Sequence, residues 1–400
     1  MLKEKIYSIL DSREAEIINK RRYLHQYPEM SFKEYKTAEY IKNFYEGKDV
    51  EWIRYPVGLN GVAVKIRGSA KSDRPKKTLA IRADFDALPM QEETDVYYKS
   101  LNPGVMHACG HDAHTAVLLE TADAFIKVRD ELAGDIIIIH QYAEETPPGG
   151  AKAMVEDGVL ENADAIIGGH VWVSLKTGTV AVRTGMTMAG RTYFKIIING
   201  RGGHGSAPQS CVDPIVAASN FVVAAQSVIS RNLSPLKSGV VTFGRFEGLG
   251  SFNVIPSSVM LEGDVRSCDK EVSGLIEKRF KEILAGITAA YGCSYELIYE
   301  HDYPPVINDG NLAEFAKNFV ETNSVPGLSL CETEINMGSE DFSYYQQKIP
   351  GVYLFFGAKP DGESYPPHHS KFNMDESCLL NCAKFYAGFA VDFFENYNIN

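Results

Sequence analysis

Thr78-Leu79-Ala80-Ile81-Arg82-Ala83-Asp84-Phe85-Asp86 passes from an apolar run directly into acidic residues. Two further stretches repeat the pattern: Ile136-Ile137-Ile138-Ile139 precedes Glu144-Glu145, and Ala165-Ile166-Ile167 precedes His170. Nearly continuous apolar runs of this length suit strands buried on both faces, as in a parallel sheet covered by helices. Between the first two, a segment from about Asp112 to Val128 reads as a helix, with Val117, Leu118, Ala122 and Phe125 on its apolar side. The fold class is therefore α/β with a mostly parallel sheet. Open sheets of this kind form their active-site crevices beyond the carboxyl ends of the strands. The acids and His170 fall at those ends.

Outward from this core, the first 26 residues read as one helix ending before Pro28. The section Arg191–Asp302 has a different rhythm. A strand over Thr192–Asn199 leads to a helix over Val212–Arg231, then strands over Gly239–Glu247 and Ser257–Ser267. A helix over Lys270–Tyr291 and a strand over Ser294–Glu300 complete a β-α-β-β-α-β order, the ferredoxin-like α+β arrangement. It predicts a module, 189–302, inserted into a larger domain made of 1–188 and 303–400. The α/β pattern then resumes with a helix near Asn311–Glu321, a strand over Gly351–Phe356 and a final helix over Glu376–Tyr397.

Four hundred residues exceed what one core usually fills. The 44% hydrophobic and 23% charged composition is that of a globular enzyme, and the net charge of −12 argues against nucleic acid or anionic membrane as main partner. No apolar run approaches a membrane span, and the N-terminus lacks a signal-peptide core. Seven cysteines show no disulfide-like spacing, so a reducing cytoplasm is expected.

Met106-His107-Ala108-Cys109-Gly110-His111-Asp112-Ala113-His114-Thr115 places one thiol and three imidazoles in ten residues. Thiolate, imidazole and carboxylate are ligands for zinc and similar divalent ions. Cys109 and His111, with Glu144-Glu145, His170 and His369, form a candidate set, and Gly110 permits backbone angles that a side chain would forbid. Asp112 is placed to cap the helix. His107 and His114 read as supporting rather than ligating, and His140, inside its strand, as structural. One of two adjacent glutamates can ligate while the other moves a proton from a water whose pKa a metal brings to about 7. His204, in Gly200-Arg201-Gly202-Gly203-His204-Gly205, could polarise a carbonyl or ligate, and Arg266 could pair with a carboxylate.

Taken together, the chain resembles the dinuclear-metal N-acyl-amino-acid amidohydrolases: aminoacylase, hippurate hydrolase and the hydrolases of indole-acetyl-amino-acid conjugates, within the aminoacylase and carboxypeptidase clan. The matching segments include Leu24-His25…Pro28-Glu29, Arg82–Pro89, His107–Asp112, Ala143-Glu144-Glu145, Gly202-Gly203-His204, Asp213-Pro214-Ile215, Asn253-Val254-Ile255-Pro256 and Gly338–Phe342. The resemblance implies a catalytic domain with two divalent ions, zinc or manganese with nickel or cobalt as alternatives, held by Cys109, His111, Glu145, His170 and His369. It implies Glu144 as general base and acid, and Asp86 behind the ligands. The inserted module would be a lid and dimerisation domain, carrying His204 for the oxyanion and Asn253 and Arg266 for substrate. A homodimer follows, with a tetramer as the alternative. Tyr142, Thr146-Pro147-Pro148 and Lys371 depart from the family's usual residues, which bears on substrate choice.

The expected activity is metal-dependent hydrolysis of the amide bond of N-acyl-L-amino acids or short peptides by a cytoplasmic enzyme. A dipeptidase, a carboxypeptidase or an acetyl-diaminopimelate deacetylase on the same scaffold are alternatives. Two other classes compete: a cysteine-nucleophile hydrolase using Cys109 with His111 or His107, and a non-catalytic amino-acid or metal-binding protein.

Overall fold

The computed structural model describes residues 1–72 and 74–398. They form two compact units: Met1–Thr187 with Ile307–Glu334 and Asp341–Asn400, and Met188–Val306 with Ile335–Glu340. Residues 335–340 pack with the second unit because Ala189 N–H donates to the Asn336 carbonyl and Arg266 donates to Ser339 Oγ.

The three quoted runs are the strands Thr78–Asp84, Asp135–Gln141 and Ala165–Lys176. The first pairs in parallel with both others, and Gly351–Lys359 pairs in parallel with Ala165–Lys176. Thr78–Asp84 and Asp135–Gln141 are buried at every residue, so each strand is covered on both faces. Antiparallel strands extend the sheet: Glu51–Val57 and Gly61–Ile66 on one side, Thr179–Val182 on the other. The helix His111–Val128 packs on this sheet with almost every residue buried. Asp112 does not cap it. Its N-cap is Gly110, without a side-chain bond, and Asp112 points instead to Arg21 and His25.

The amino-terminal segment is two helices, Leu2–Asp11 and Glu14–Gln26, not one. Ser12 Oγ donates to the Ile9 carbonyl, a local bond that competes with helix continuation. In the second unit the strands run antiparallel in the order Gly239–Glu247, Ser258–Ser267, Gly190–Asn199, Ser294–His301. Two helices, Pro214–Ser227 and Lys270–Ala290, supply Phe221 and Phe280 to a core with Phe194, Ile196 and Ile198. Gly190–Asn199 alternates buried and half-buried residues, as a one-faced strand should.

His140 sits wholly buried in the strand Asp135–Gln141, with Tyr45 Oη 2.8 Å from Nε2 and Thr115 Oγ1 3.3 Å from Nδ1. Burial lowers its pKa from 6.5 to about 3. A depressed histidine contributes stability above its unfolded pKa and loses it as pH falls toward the folded one. Between pH 6 and pH 3.5 the loss is about 1.4 kcal/mol per pH unit. His140→Gln is therefore expected to flatten the fall of unfolding free energy with acid by that slope, measured by urea unfolding at stepped pH. Parallel curves for the two proteins would contradict it.

Candidate metal centre

The site grows from two strand ends, two loops and the middle of a third strand, all in the first unit. His170, expected just beyond its strand, sits within it. Beyond Thr78–Asp84, Asp86 accepts from His111 Nδ1 at 3.0 Å through one oxygen. Its other oxygen accepts from Ser31 Oγ at 2.7 Å and Glu145 N–H at 2.9 Å. Beyond Asp135–Gln141, Ala143 takes the left-handed conformation, φ 52°, an uncommon one for a residue with a Cβ. The turn is held because Ala143 N–H donates to buried Glu34 at 2.8 Å and its carbonyl accepts from Gly150. Burial, then Asp86, push Glu34 up to about 7. Within Ala165–Lys176, His170 Nδ1 donates to the Val171 carbonyl at 2.6 Å.

These bonds fix tautomers. With Nδ1–H engaged, both His111 and His170 present Nε2 as a lone pair, the form a metal needs. His170 Nε2 lies 3.3 Å from Cys109 Sγ. His111 Nε2 lies 3.8 Å from Glu145 Oε1. Both of those last atoms are buried without a hydrogen-bond partner. Donors bound at about 2.0–2.3 Å to one ion are separated by such distances. Glu145 Oε2 in turn lies 3.2 Å from His368 Nε2. Among the sets of mutually close donors, three overlap pairwise: Cys109, His111 and His170; Cys109, Glu145 and His368; His111, Glu144 and Glu145. Cys109, His111 and Glu145 each recur among them. The donor set fits divalent ions, and it offers positions for more than one.

Electrostatics agree with that fit. Burial, then Glu145, Glu144 and Asp84, push the Cys109 thiol well above its ordinary range. Burial opposes protonation of His111, yet Asp84, Asp86 and Glu145 prevail and raise it to about 10. Burial, then His114 and His111, hold His170 well below the usual histidine range. Clustered carboxylates around a buried thiol thus call for positive charge, and a cation would take the place of protons.

His369 is not part of this cluster. Its ring stacks on Tyr365 at 4.8 Å, and its Nδ1 accepts from Lys371 N–H. Of the adjacent pair, the backbone brings His368 rather than His369 to the cluster. His368 has φ 65°, and its N–H donates to the Ala108 carbonyl at 2.7 Å, which sets that residue beside the Cys109 loop. His114 spends both nitrogens, Nδ1 on Asp84 at 2.6 Å and Nε2 on Val171 N–H. His107 joins none of the donor sets among the described residues.

In the second unit, His204 lies on a short strand whose register partner is Val254, so Asn253 is close by, and its carbonyl accepts from Gly205. His204 Nδ1 lies 3.1 Å from Ser206 N–H and 2.7 Å from its hydroxyl. Arg266 pairs with Asp264 and Ser339 Oγ.

A completely buried network supports the strand ends. Arg82 donates to Gln141 at 2.8 Å, Asp84 at 2.6 Å and Asp341 at 3.0 Å. Gln141 donates to Asp341 and accepts from Tyr345 Oη. Arg82 and Asp341 fall in the matching segments Arg82–Pro89 and Gly338–Phe342, but no sequence spacing marked their meeting at Gln141. A charged residue inside an otherwise apolar strand run was the available signal.

Residues 80–392 match a family described as Peptidase family M20/M25/M40. The chain is 42% identical over 398 residues, 98% of either chain, to YhaA of Bacillus subtilis, named as an amidohydrolase. It is 38% identical over 376 residues to the N-acetyl-L-cysteine deacetylase of Bacillus subtilis, covering 94% of this chain and 88% of that one. Among solved structures, Bacillus subtilis YxeP, described as a dinuclear metal binding peptidase from the M20 family, matches with a TM-score of 0.83 at 34% identity. That match covers 97% of this chain and 99% of the other.

Proposed function

The chain belongs to peptidase family M20/M25/M40, and from that we propose that it deacylates N-acyl-amino acids, with Cys109, His111, Glu145, His170 and His368 holding two divalent ions. It is a hydrolase of amide bonds. The observation that carries the metal reading is the pair of partnerless buried atoms, His111 Nε2 and Glu145 Oε1, facing one another at 3.8 Å. Thiolate with imidazoles favours zinc or a neighbouring transition ion over magnesium or calcium. When bound, such ions polarise an acyl carbonyl and make water acidic enough to attack it near neutral pH.

The chain's own residues do the rest. Asp86 and the Val171 carbonyl aim the two imidazoles. Glu144, buried within reach of His111 and Glu145, accepts the proton of the attacking water and returns it to the leaving amine. His204 would steady the oxyanion, while Asn253 and Arg266 would meet the substrate's polar groups. A homodimer suits the second unit, which exposes Leu249, Phe252 and Val254 beside the His204 ribbon. A cytoplasmic setting suits seven unpaired cysteines. Among the described residues no helix is long and apolar enough to cross a membrane.

The test is hydrolysis of a panel of N-acyl-amino acids varying acyl length and side chain separately, before and after chelation. Turnover abolished by chelator and restored by zinc or manganese is expected. Turnover that survives complete metal removal would return the reaction to Cys109 as nucleophile.

The two adjacent histidines give a sharper check. His368→Ala is expected to lower metal affinity about 10-fold or more, read by competition with a chromophoric chelator. His369→Ala is expected to stay within about twofold, since its ring stacks on Tyr365 and accepts from Lys371 N–H outside the donor sets. The reverse pattern would overturn the assignment.

A further inference from the structure

A second group of buried charges lies behind the donor cluster. His25, on the helix Glu14–Gln26, is held between two carboxylates: Nδ1 lies 2.8 Å from Asp112 Oδ2 and Nε2 lies 3.3 Å from Glu92 Oε1. Only the protonated ring donates from both nitrogens. Arg21 reaches Asp112 at 2.8 Å and Glu376 at 3.1 Å, and Arg22 grips Glu376 through both carboxylate oxygens. Three cations thus face Asp112, Glu92 and Glu376, a balanced group whose members are largely buried.

Its position gives the group a use. Asp112 directly follows His111. Glu92 is followed by Glu93, whose N–H donates to the Ser370 carbonyl at 2.9 Å and whose carboxylate accepts from Ser370 Oγ at 2.6 Å. Ser370 lies two residues beyond His368, and Glu376 lies on the same carboxy-terminal stretch. The dipeptide Glu92-Glu93 therefore fastens one donor segment through His25 and Asp112, and the other through Ser370. The Ser100 N–H donates to the Glu92 carboxylate at 2.6 Å and keeps Glu92 itself in place.

We propose that His25, Glu92, Glu93 and Ser370 are positioning residues that brace the His111 segment against the His368 segment, so that the two metal positions are set as a unit. The inference rests on the metal reading above and adds residues that touch no ligand atom of the cluster. Losing the brace frees the His368 loop without removing a donor. The consequence is weaker uptake of metal, not slower chemistry once metal is saturating.

The experiment is a zinc titration of the full-length chain against a chromophoric chelator, for wild type, His25→Asn, Glu92→Gln, Ser370→Ala and the double variant Glu92→Gln/Ser370→Ala. Each single variant is expected to weaken the looser zinc site by about 10–100-fold. At saturating zinc, kcat and KM are expected within about threefold of wild type. The double variant is expected to lose less than the product of the two single losses, because both substitutions cut one connected brace. Zinc affinities within twofold of wild type, or single losses that simply multiply, would overturn the proposal. Ser370→Ala and Glu92→Gln decide the matter alone if His25→Asn does not fold. A wild-type chain that takes up no zinc would instead overturn the metal reading, and the brace with it.

Discussion

Glu144→Gln is expected to keep its metal and lose turnover by about 10²–10⁴-fold. The amide is nearly the size of the carboxylate, so the buried pocket at Glu144 stays filled. Glu145, His111 and Cys109 keep their donors. What disappears is a basic oxygen able to take a proton from water and pass it to the departing nitrogen. Glutamine cannot accept that proton near neutral pH. Metal content by elemental analysis should match wild type, and kcat should fall while KM changes little. A variant within about threefold of wild type would mean that another group carries the proton. Loss of metal alongside turnover would instead make Glu144 a ligand.

Arg82→Met is expected to cost about 3–5 kcal/mol of stability, the usual effect of removing one partner from a buried ion pair. Methionine fills much of the arginine's volume, so the effect is electrostatic. Asp84 and Asp341, both without solvent exposure, would keep Gln141, His114 and backbone donors but lose the guanidinium. The urea midpoint should fall at unchanged slope. Arg82→Lys should lie between, since an ammonium preserves charge but not the three-way fork to Gln141, Asp84 and Asp341. A loss of unfolding free energy below about 1 kcal/mol would show that the carboxylates depend on other donors.

The parallel core was legible because continuous apolar runs have few other solutions. Thr78–Asp84 and Asp135–Gln141 carry no alternation that could leave one face wet, and both strands are buried throughout. Strand ends then located Asp86, Glu144 and Glu145, whereas His170 lies inside Ala165–Lys176, because that strand continues past the apolar run to Lys176. The flanking antiparallel strands were less visible: Glu51–Val57 is mostly exposed and has no apolar pattern to announce it. The break at Ser12 escaped because helical periodicity continues across it, and one hydroxyl bond outweighs that pattern locally.

His369 failed for a different reason. Residue type and neighbourhood are the same for two consecutive histidines, and only a backbone angle at His368 separates them. Sequence spacing reports which side chains are available, not which way a turn directs them. The support behind the ligands was invisible on the same grounds. Glu92 and Ser370 read alone as ordinary polar residues, and His25, although inside a matching segment, is distant from both in sequence.

The second unit interrupts the first, and this orders events during synthesis. Residues 190–301 contain all four strands of their own sheet and can pair as soon as they emerge. The larger sheet has to wait. Ala165–Lys176 leaves the ribosome well before its neighbour Gly351–Lys359, so a growing chain carries an unpaired apolar edge for nearly two hundred residues. Such an edge invites chaperones or aggregation. His368 is translated later still, so a nascent chain has no complete donor cluster until the segment that carries it is made.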